Sequence, residues 1–193
     1  MLIARSAQEA HLYIDLHVCV CGATQFDREH RLEDREGVLV SMYEGVCPQC
    51  GRTRSYAFTI SDDRPPAPPA FGGPEPSQII DPGEFLWVSD RMSTESGLRL
   101  LSTPAAEHRE IRSAAAYGTA ALEEVAKFLP EGADRIPEDR FTSERGREMY
   151  AKDPSRFTRK DIDAALELDR KVLAGIDRYS PPQSSEQSRS TAQ

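Results

Sequence analysis

Four cysteines constrain the fold of this chain more than any other feature. They fall in two close pairs, Cys19-Val20-Cys21 and Cys47-Pro48-Gln49-Cys50, and a glycine follows each pair. Glycine adopts backbone conformations that a Cβ would penalise, so each pair can occupy a tight turn whose amides point at the sulfurs. Two such turns folded against each other place four thiolates at the corners of a tetrahedron, which suits a structural zinc ion. The sequence therefore predicts a structural Zn²⁺ site whose ligands are Cys19, Cys21, Cys47 and Cys50.

The segment around these pairs, residues 12–60, resembles a zinc ribbon, or the zinc-knuckle proteins more broadly. The second pair, Cys47-Pro48-Gln49-Cys50-Gly51, matches the pattern of that family, whereas one residue separates Cys19 from Cys21 where the family has two. The resemblance implies a small sheet that a metal holds at one end. A site closed by four sulfurs leaves no coordination position for water or substrate, so its binding energy contributes to folding and not to catalysis.

Charge and composition narrow the class of protein. The formal net charge is −8, and the arginines near the cysteines alternate with carboxylates, so no basic patch that would attract nucleic acid is visible there. The first residues lack the apolar stretch of a secretory signal, and no run is long enough to span a membrane. We therefore expect a soluble cytoplasmic protein with reduced cysteines. The excess of Arg over Lys, with abundant Ala and Pro, is typical of a GC-rich bacterial genome.

Alternating apolar and polar residues predict a small antiparallel sheet around the cysteines. The predicted strands cover residues 12–20, 26–32, 38–43 and 56–60. Gly37 lies in the turn between the second and third strands, at a position that favours a positive φ. We therefore predict a zinc-ribbon-like β domain over residues 1–60.

The composition changes after this sheet. Residues 61–80 are rich in proline and glycine, and proline lacks the amide hydrogen that a helix interior or a central strand needs. This segment is predicted to be an extended connector that packs on the protein through Phe71, Ile79 and Ile80. Residues 180–193 are rich in serine and glutamine, which predicts a disordered tail.

Residues 81–179 contain capping residues and apolar spacings that are typical of helices. The predicted helices begin at Asp81, Thr103, Ser143 and Thr158. Asp81 and Glu84 form the pattern of a capping box, and this first helix is predicted to break at Gly97. The second helix is predicted to be the longest, and Pro130 ends it. Packing these helices on or beside the sheet gives an α+β fold: a small antiparallel zinc-ribbon-like sheet, a Pro-rich connector and a helical C-terminal half.

Four further residues have both a structural and a functional interpretation. His17 lies near the first cysteine pair and could act at the metal, although an exposed strand histidine is the favoured interpretation. Asp169 lies within the apolar face of the last helix, where either an arginine neutralises it, as we favour, or that face meets a partner. Trp87 and Phe71 could be exposed binding anchors, but burial in the core is favoured.

Two enzymatic patterns are weaker than the zinc site. Cys47-Pro48-Gln49-Cys50 resembles the thiol pair of redox proteins, but it has a partner pair and predicted strands on either side. A zinc deaminase needs a His-x-Glu motif before its cysteines, and His108-Arg109-Glu110 follows them. We exclude the deaminase on that ground.

We therefore expect a non-enzymatic, zinc-stabilised bacterial protein-binding module in which the sheet holds the zinc and the helices offer an acidic surface to another protein. An immunity or antitoxin-type protein is one example. The alternative is a zinc-ribbon regulator associated with nucleic acid, which would need a basic stripe on the folded surface. Candidate residues for that stripe are Arg145, Arg147, Arg156, Arg159 and Lys160. A second alternative is an enzyme whose site is assembled from distant residues. The sequence does not specify the oligomeric state.

Overall fold

The computed structural model describes residues 2–60, 66–104 and 107–179. Its elements are β1 (Leu2–Ala4), α1 (Ala7–Leu16), β2 (Arg28–Arg35), β3 (Val38–Val46), β4 (Thr53–Ile60), α2 (Pro82–Ser102), α3 (His108–Ala126), α4 (Glu144–Lys152) and α5 (Arg159–Tyr179). The described residues thus form a mixed α and β fold with one four-stranded sheet and five α-helices. The predicted tail, residues 180–193, lies outside the described residues. The division of the chain into domains stays a prediction.

The sheet has the strand order β1-β4-β3-β2. Strands β2, β3 and β4 are antiparallel neighbours, as predicted, whereas β1 runs parallel to β4. The sheet is therefore mixed, and the prediction of a purely antiparallel sheet is wrong. The turn between β2 and β3 has Glu36 at φ 57° and Gly37 at φ 82°, which is the two-residue hairpin turn that needs two positive φ angles. The prediction for Gly37 is confirmed.

The largest error of the sequence analysis concerns residues 12–20, because Ala7–Leu16 form helix α1 and not a strand. Ser6 begins the helix, and its hydroxyl accepts a hydrogen bond from the Glu9 amide at 3.0 Å. The apparent alternation of apolar residues arises because α1 is buried on two sides. Ala10 and Ile14 face one way and Leu12 and Leu16 another, and each pair has the four-residue spacing of a helix face.

Helix α1 joins the sheet to the helices. Ala10 and Ile14 pack in one apolar cluster with Tyr43 and Phe58 of the sheet. Leu12 and Leu16 pack in a second and larger cluster. That cluster includes Phe71, Ile80, Phe85, Leu86, Val125, Phe157 and Ile162. The prediction that the connector packs on the protein is confirmed for residues 66–80, because Phe71 is 0% and Ile80 2% exposed; residues 61–65 lie outside the described residues.

A buried network of charges also links the two halves of the molecule. The Arg5 guanidinium donates to Glu9 of α1 at 2.7 Å and to Glu124 of α3 at 2.8 Å. Lys127 donates to Glu124 at 2.5 Å and to the Gly73 carbonyl at 2.7 Å. The two carboxylates are almost fully enclosed, with side-chain exposures of 0% and 2%. Such enclosed carboxylates persist only when cations and hydrogen bonds satisfy them, so this network fixes the N-terminal segment against α3.

The helical half follows the predicted order with different boundaries. Helix α2 continues through Gly97 to Ser102, so the predicted break is wrong. Gly97 has open space around it, and a helix that is anchored at both ends tolerates a single glycine at a cost of about 1 kcal/mol. Helix α3 begins at His108 and, with 19 residues, is shorter than α2 and α5 with 21 residues each. The short helix predicted near Ser143 is present as α4.

The N-termini of α2 and α4 meet in close contact. Asp81 forms the predicted capping box with Glu84, and its second oxygen accepts from the Ser143 amide at 2.7 Å. A Cβ on Gly83 would overlap the backbone of Gly146, and a Cβ on Gly146 would overlap the Asp81 carboxylate. The Glu84 side chain lies in this junction. Burial, and then the Asp81 carboxylate, raise its pKa to about 7.

Candidate metal centre

The two cysteine pairs lie in turns that follow different elements. The first pair comes three residues after the end of α1, and the second pair occupies the loop between β3 and β4. Gly22 and Gly51, which follow the pairs, have φ angles of 88° and 68°. This left-handed conformation favours glycine, as the sequence predicts. The paired strands β3 and β4 therefore fix the second turn, and α1 carries the first turn towards it.

The two turns close in the same way although the first is one residue shorter. The Gly22 amide donates to the Cys19 carbonyl at 2.7 Å, and the Gly51 amide donates to the Cys47 carbonyl at 2.9 Å. The bond spans three residues in the first turn and four in the second. The Cys19 amide also donates to the Ala23 carbonyl, and the Cys47 amide donates to the Arg52 carbonyl, each at 2.9 Å. The shorter Cys-x-Cys spacing thus still builds a closed turn.

The four sulfur atoms meet between the turns. The Sγ atoms of Cys19 and Cys50 are 3.6 Å apart, as are those of Cys21 and Cys47, and all four lie within 4.8 Å of one another. All four cysteines are free thiols. A zinc ion with Zn–S bonds of about 2.3 Å requires sulfurs about 3.8 Å apart at the corners of a tetrahedron. The observed separations fit that geometry, so the cluster could hold a metal ion.

The backbone of the second turn favours a thiolate at Cys47. The Cys50 amide, and then the Gln49 amide, donate to this sulfur and lower its pKa to about 6 against the opposing effect of burial. The Arg52 amide acts in the same direction on Cys50, but the neighbouring thiols outweigh it and raise the pKa of Cys50 to about 11. Four thiols this close cannot all ionise without a cation, so metal binding would release protons from the cluster.

Arg54 of β4 connects the two cysteine turns. Its guanidinium donates to the Ile14 carbonyl at 3.4 Å and also to the His17 carbonyl, at the C-terminal end of α1. The last carbonyls of a helix lack partners within the helix and carry partial negative charge, so a cation there is favourable. The same guanidinium stacks over the Phe26 ring at 4.1 Å. Arg54 follows Cys50 by four residues, and it thereby ties the second turn to the helix that carries the first.

His17 is not part of the group of side chains that could hold the metal. Its Nδ1 atom is 2.7 Å from the Tyr13 carbonyl, and its ring stacks on the Tyr13 ring with centroids 3.8 Å apart. The side chain is exposed. Among the described residues, the cysteine cluster is the one group of His, Cys, Asp and Glu side chains arranged to hold a metal. The favoured interpretation, an exposed histidine, is confirmed, although His17 ends a helix and not a strand.

The other sequence candidates lie away from the cysteines. No arginine or lysine of the described residues pairs with Asp169, so the favoured arginine partner is wrong. Burial raises the pKa of Asp169, and a hydrogen bond from Thr119 opposes the rise. Phe71 is fully buried, as favoured, whereas Trp87 is half-buried under the Arg145 guanidinium at 4.3 Å.

The residues proposed for a basic stripe mostly have partners within the molecule. Arg156 makes two 2.7 Å hydrogen bonds to Asp90. Arg159 donates to backbone carbonyls of the segment after α3, and Arg147 donates to the Thr142 carbonyl. Arginines engaged in this way are less available for phosphate groups.

Sequence reasoning missed the apolar surface around the cysteine cluster. Val20, between the first two cysteines, is 75% exposed, and Val18 and Val46 are 46% and 56% exposed. A shallow groove beside Val46 is lined by side chains of both charges. Its other lining residues are Asp27, Arg28, Glu29, Glu44, Gly45 and Thr53. Each of these three valines is next to a cysteine of the cluster in the chain.

No protein-family model matches the chain, and neither does any curated protein or solved structure. None of the described helices combines the length and the apolar character needed to cross a membrane.

Proposed function

We propose that the chain binds one Zn²⁺ ion through Cys19, Cys21, Cys47 and Cys50, as a zinc ribbon does, and that the metal stabilises a non-enzymatic protein-binding module. The observation that carries the proposal is the position of the four sulfurs within 4.8 Å of one another on two converging turns. Sulfur ligands in a tetrahedron favour zinc or iron, and zinc is the usual ion of a closed structural site. Four protein ligands fill the coordination sphere, which supports a structural role and not catalysis.

The exposed valines support a protein as the partner. Exposed apolar side chains that lie together can mark a protein-binding surface, and the exposed Val18, Val20 and Val46 are each next to a cysteine in the chain. Many exposed carboxylates of the helices are already paired, for example Asp177 with Arg112 and Glu123 with Arg170. We therefore place the binding surface at the cysteine end. An immunity or antitoxin-type role remains one form of this proposal.

The experiment is affinity capture from a native bacterial lysate, with and without nuclease, by the tagged chain. We expect one near-stoichiometric protein that survives nuclease treatment and is lost with Val20→Asp. The matched control is Leu39→Asp, because Leu39 is 47% exposed at the other end of β3, away from the cysteines. Capture that nuclease abolishes would favour the nucleic-acid regulator. Capture that Val20→Asp leaves intact would refute the proposed surface.

A further inference from the structure

Strand β2 forms an open edge of the sheet, because the strand order β1-β4-β3-β2 gives it one neighbour. Among the described residues, no strand pairs with its outer side. Its eight residues read Arg-Glu-His-Arg-Leu-Glu-Asp-Arg, so three arginines balance three carboxylates. Leu32, the one apolar residue of the strand, is 55% exposed. An open edge carries backbone N–H and C=O groups that can pair with a further strand.

The register of the sheet determines which residues of β2 present their backbone groups to the open side. The Cys47 amide donates to the Arg52 carbonyl at 2.9 Å, and this pair continues the register of β3 and β4. Hydrogen-bonded pairs alternate along antiparallel strands, so odd-numbered residues of β3 bond to β4 and even-numbered residues bond to β2. Their partners in β2 are the odd-numbered residues, from Glu29 to Arg35. The residues of β2 with outward backbone groups are therefore Arg28, His30, Leu32 and Asp34.

We propose that β2 pairs antiparallel with β2 of a second copy of this chain, about a two-fold axis at Leu32. The two four-stranded sheets then form one continuous sheet. Residues at equal distances from Leu32 along the strand lie opposite each other, so outward backbone groups of one copy meet outward backbone groups of the other. Each such pair can exchange two hydrogen bonds. Leu32 meets itself on the axis, as the central residue of an isologous interface does.

The charges of β2 complement themselves in this register. Arg31 lies opposite Glu33 of the second copy, and Glu29 lies opposite Arg35. Opposite charges that face each other across two strands are favourable, whereas like charges are destabilising, and no like charges meet here. The pairs across the axis, each present twice except the last, are Arg28–Glu36, Glu29–Arg35, His30–Asp34, Arg31–Glu33 and Leu32–Leu32.

Neighbouring registers lack this complementarity. An axis at Arg31 would place Arg31 opposite itself and Glu29 opposite Glu33. An axis at Glu33 would place Glu33 opposite itself and Arg31 opposite Arg35. An axis between two residues would set outward backbone groups against groups that already bond to β3, so no ladder would form. Charges on an edge strand oppose unspecific pairing, and this pattern opposes the neighbouring registers while it favours the axis at Leu32.

Glu29 shows what the second copy would contribute. Within one copy, Glu29 lies directly opposite Glu44 of β3, which is an unfavourable pair of like charges. Arg31 contacts Glu44 at 2.5 Å, and among the described residues no cation forms an ion pair with Glu29. Arg35 of the second copy would supply that cation. Pairing therefore relieves a repulsion that the single sheet contains.

Sedimentation velocity of the full chain between about 1 and 200 µM tests the proposal. One strand pair is a small interface, so we expect a reversible dimer whose mass rises with concentration from 21.5 kDa towards twice that value. Leu32→Pro removes an outward N–H group and leaves the bonds between β2 and β3 in place, so this variant should stay monomeric. A wild-type chain that is monomeric at all concentrations would overturn the proposal.

Charge exchange tests the pairing without proline. Glu29→Arg places like charges together at both ends of the pair and should weaken the dimer about tenfold, while it removes the repulsion from Glu44 within one copy. Arg35→Glu should weaken the dimer similarly, and the double variant E29R/R35E should restore it. The matched control is Glu167→Arg, which makes the same change of charge on α5, where Glu167 is 68% exposed, and should dimerise as the wild type does. Circular dichroism melts establish that each variant folds.

A cysteine at the axis tests the register directly. Opposite residues of a hydrogen-bonded pair have Cα atoms about 5.5 Å apart, which a disulfide can span. Oxidised glutathione should therefore convert Leu32→Cys to a covalent dimer that a reductant reverses. In the control Asp34→Cys, the two introduced thiols would be offset by about 13 Å along the strands, at about 3.3 Å per residue, and should not join.

The remaining outcomes are also decisive. A dimer that Leu32→Pro and Glu29→Arg leave unchanged would use another surface and would overturn the proposal. A double variant E29R/R35E as weak as the single variants would overturn the register, as would cross-linking of Asp34→Cys that equals that of Leu32→Cys.

Discussion

Replacing Arg5 tests how far the buried charge network holds the molecule together. Arg5→Met removes the guanidinium that lies between two enclosed carboxylates and keeps an apolar side chain of similar length. Four hydrogen bonds are lost: two to Glu9 at 2.7 and 2.9 Å, one to Glu124 at 2.8 Å and one to the Glu75 carbonyl. Glu9 retains the Arg5 backbone amide at 2.6 Å, and Glu124 retains Lys127 at 2.5 Å. The carboxylates thus stay partly satisfied.

The expected loss is that of breaking a buried ion pair from one side, about 3–5 kcal/mol. The bonds that remain place the value near the lower end of that range. With a urea slope of about 2 kcal/mol per M, the unfolding midpoint should fall by about 1.5 to 2 M. The assay is urea unfolding followed by circular dichroism at pH 7 in a fixed concentration of free zinc.

Arg31 provides a matched control. It also bridges two glutamates, Glu33 at 2.8 Å and Glu44 at 2.5 Å, but its side chain is 49% exposed on the sheet surface. Exposed ion pairs contribute little, because water solvates both partners in their absence. Arg31→Met should therefore move the urea midpoint far less than Arg5→Met does. Equal shifts of the urea midpoint for the two variants would refute the reasoning. They would show that burial does not determine how much such a charge network contributes to stability.

Other predictions concern Glu84, Gly146 and Cys47. The pKa of Glu84 is about 7 in the fold and 4.5 in the unfolded chain. The protonated side chain therefore contributes up to about 3 kcal/mol of stability, which is fully present below pH 4.5. This contribution is lost as the pH rises through 7. Glu84→Gln should flatten the pH dependence of the melting temperature in that interval, and an unchanged pH profile would count against it. Gly146→Ala should lower the free energy of chemical unfolding by about 1–3 kcal/mol, because its Cβ would overlap Asp81, and an unchanged value would contradict this close contact. Cys47→Ser should unfold the sheet region, and a metal-free variant with wild-type circular dichroism and melting would disprove the structural role of the metal.

The sequence predicted the cysteine cluster because its chemistry is local. Two close pairs, each followed by glycine, require turns whatever precedes them. The hairpin turn at Gly37 and the capping box at Asp81 are local in the same sense, and both are present. Each of these features is determined by a few residues that are adjacent in the sequence.

The structure of residues 7–16 could not be predicted in this way, because it depends on what packs around them. A helix buried on two opposite sides presents apolar residues at alternate positions, which imitates a strand. Only the positions of the sheet and of α3 distinguish the two interpretations. The Ser6 cap was the one local signal that favoured a helix.

The partners of buried charges are also set by the tertiary fold. Arg5 and Glu124 are 119 residues apart in the chain, and neither stands out from the surface charges around it. The exposure of Val20 is likewise a property of the folded surface. This exposure supports the proposed binding surface, and the sequence pattern did not indicate it.

The metal content of the purified chain tests the central claim most directly. Inductively coupled plasma mass spectrometry should find one zinc per chain, and a chelator should release it with a fall in the melting temperature and the appearance of four reactive thiols. Iron in place of zinc would contradict the assignment of the ion. A chain without metal, whose melting temperature is the same with and without added zinc, would contradict the account as a whole.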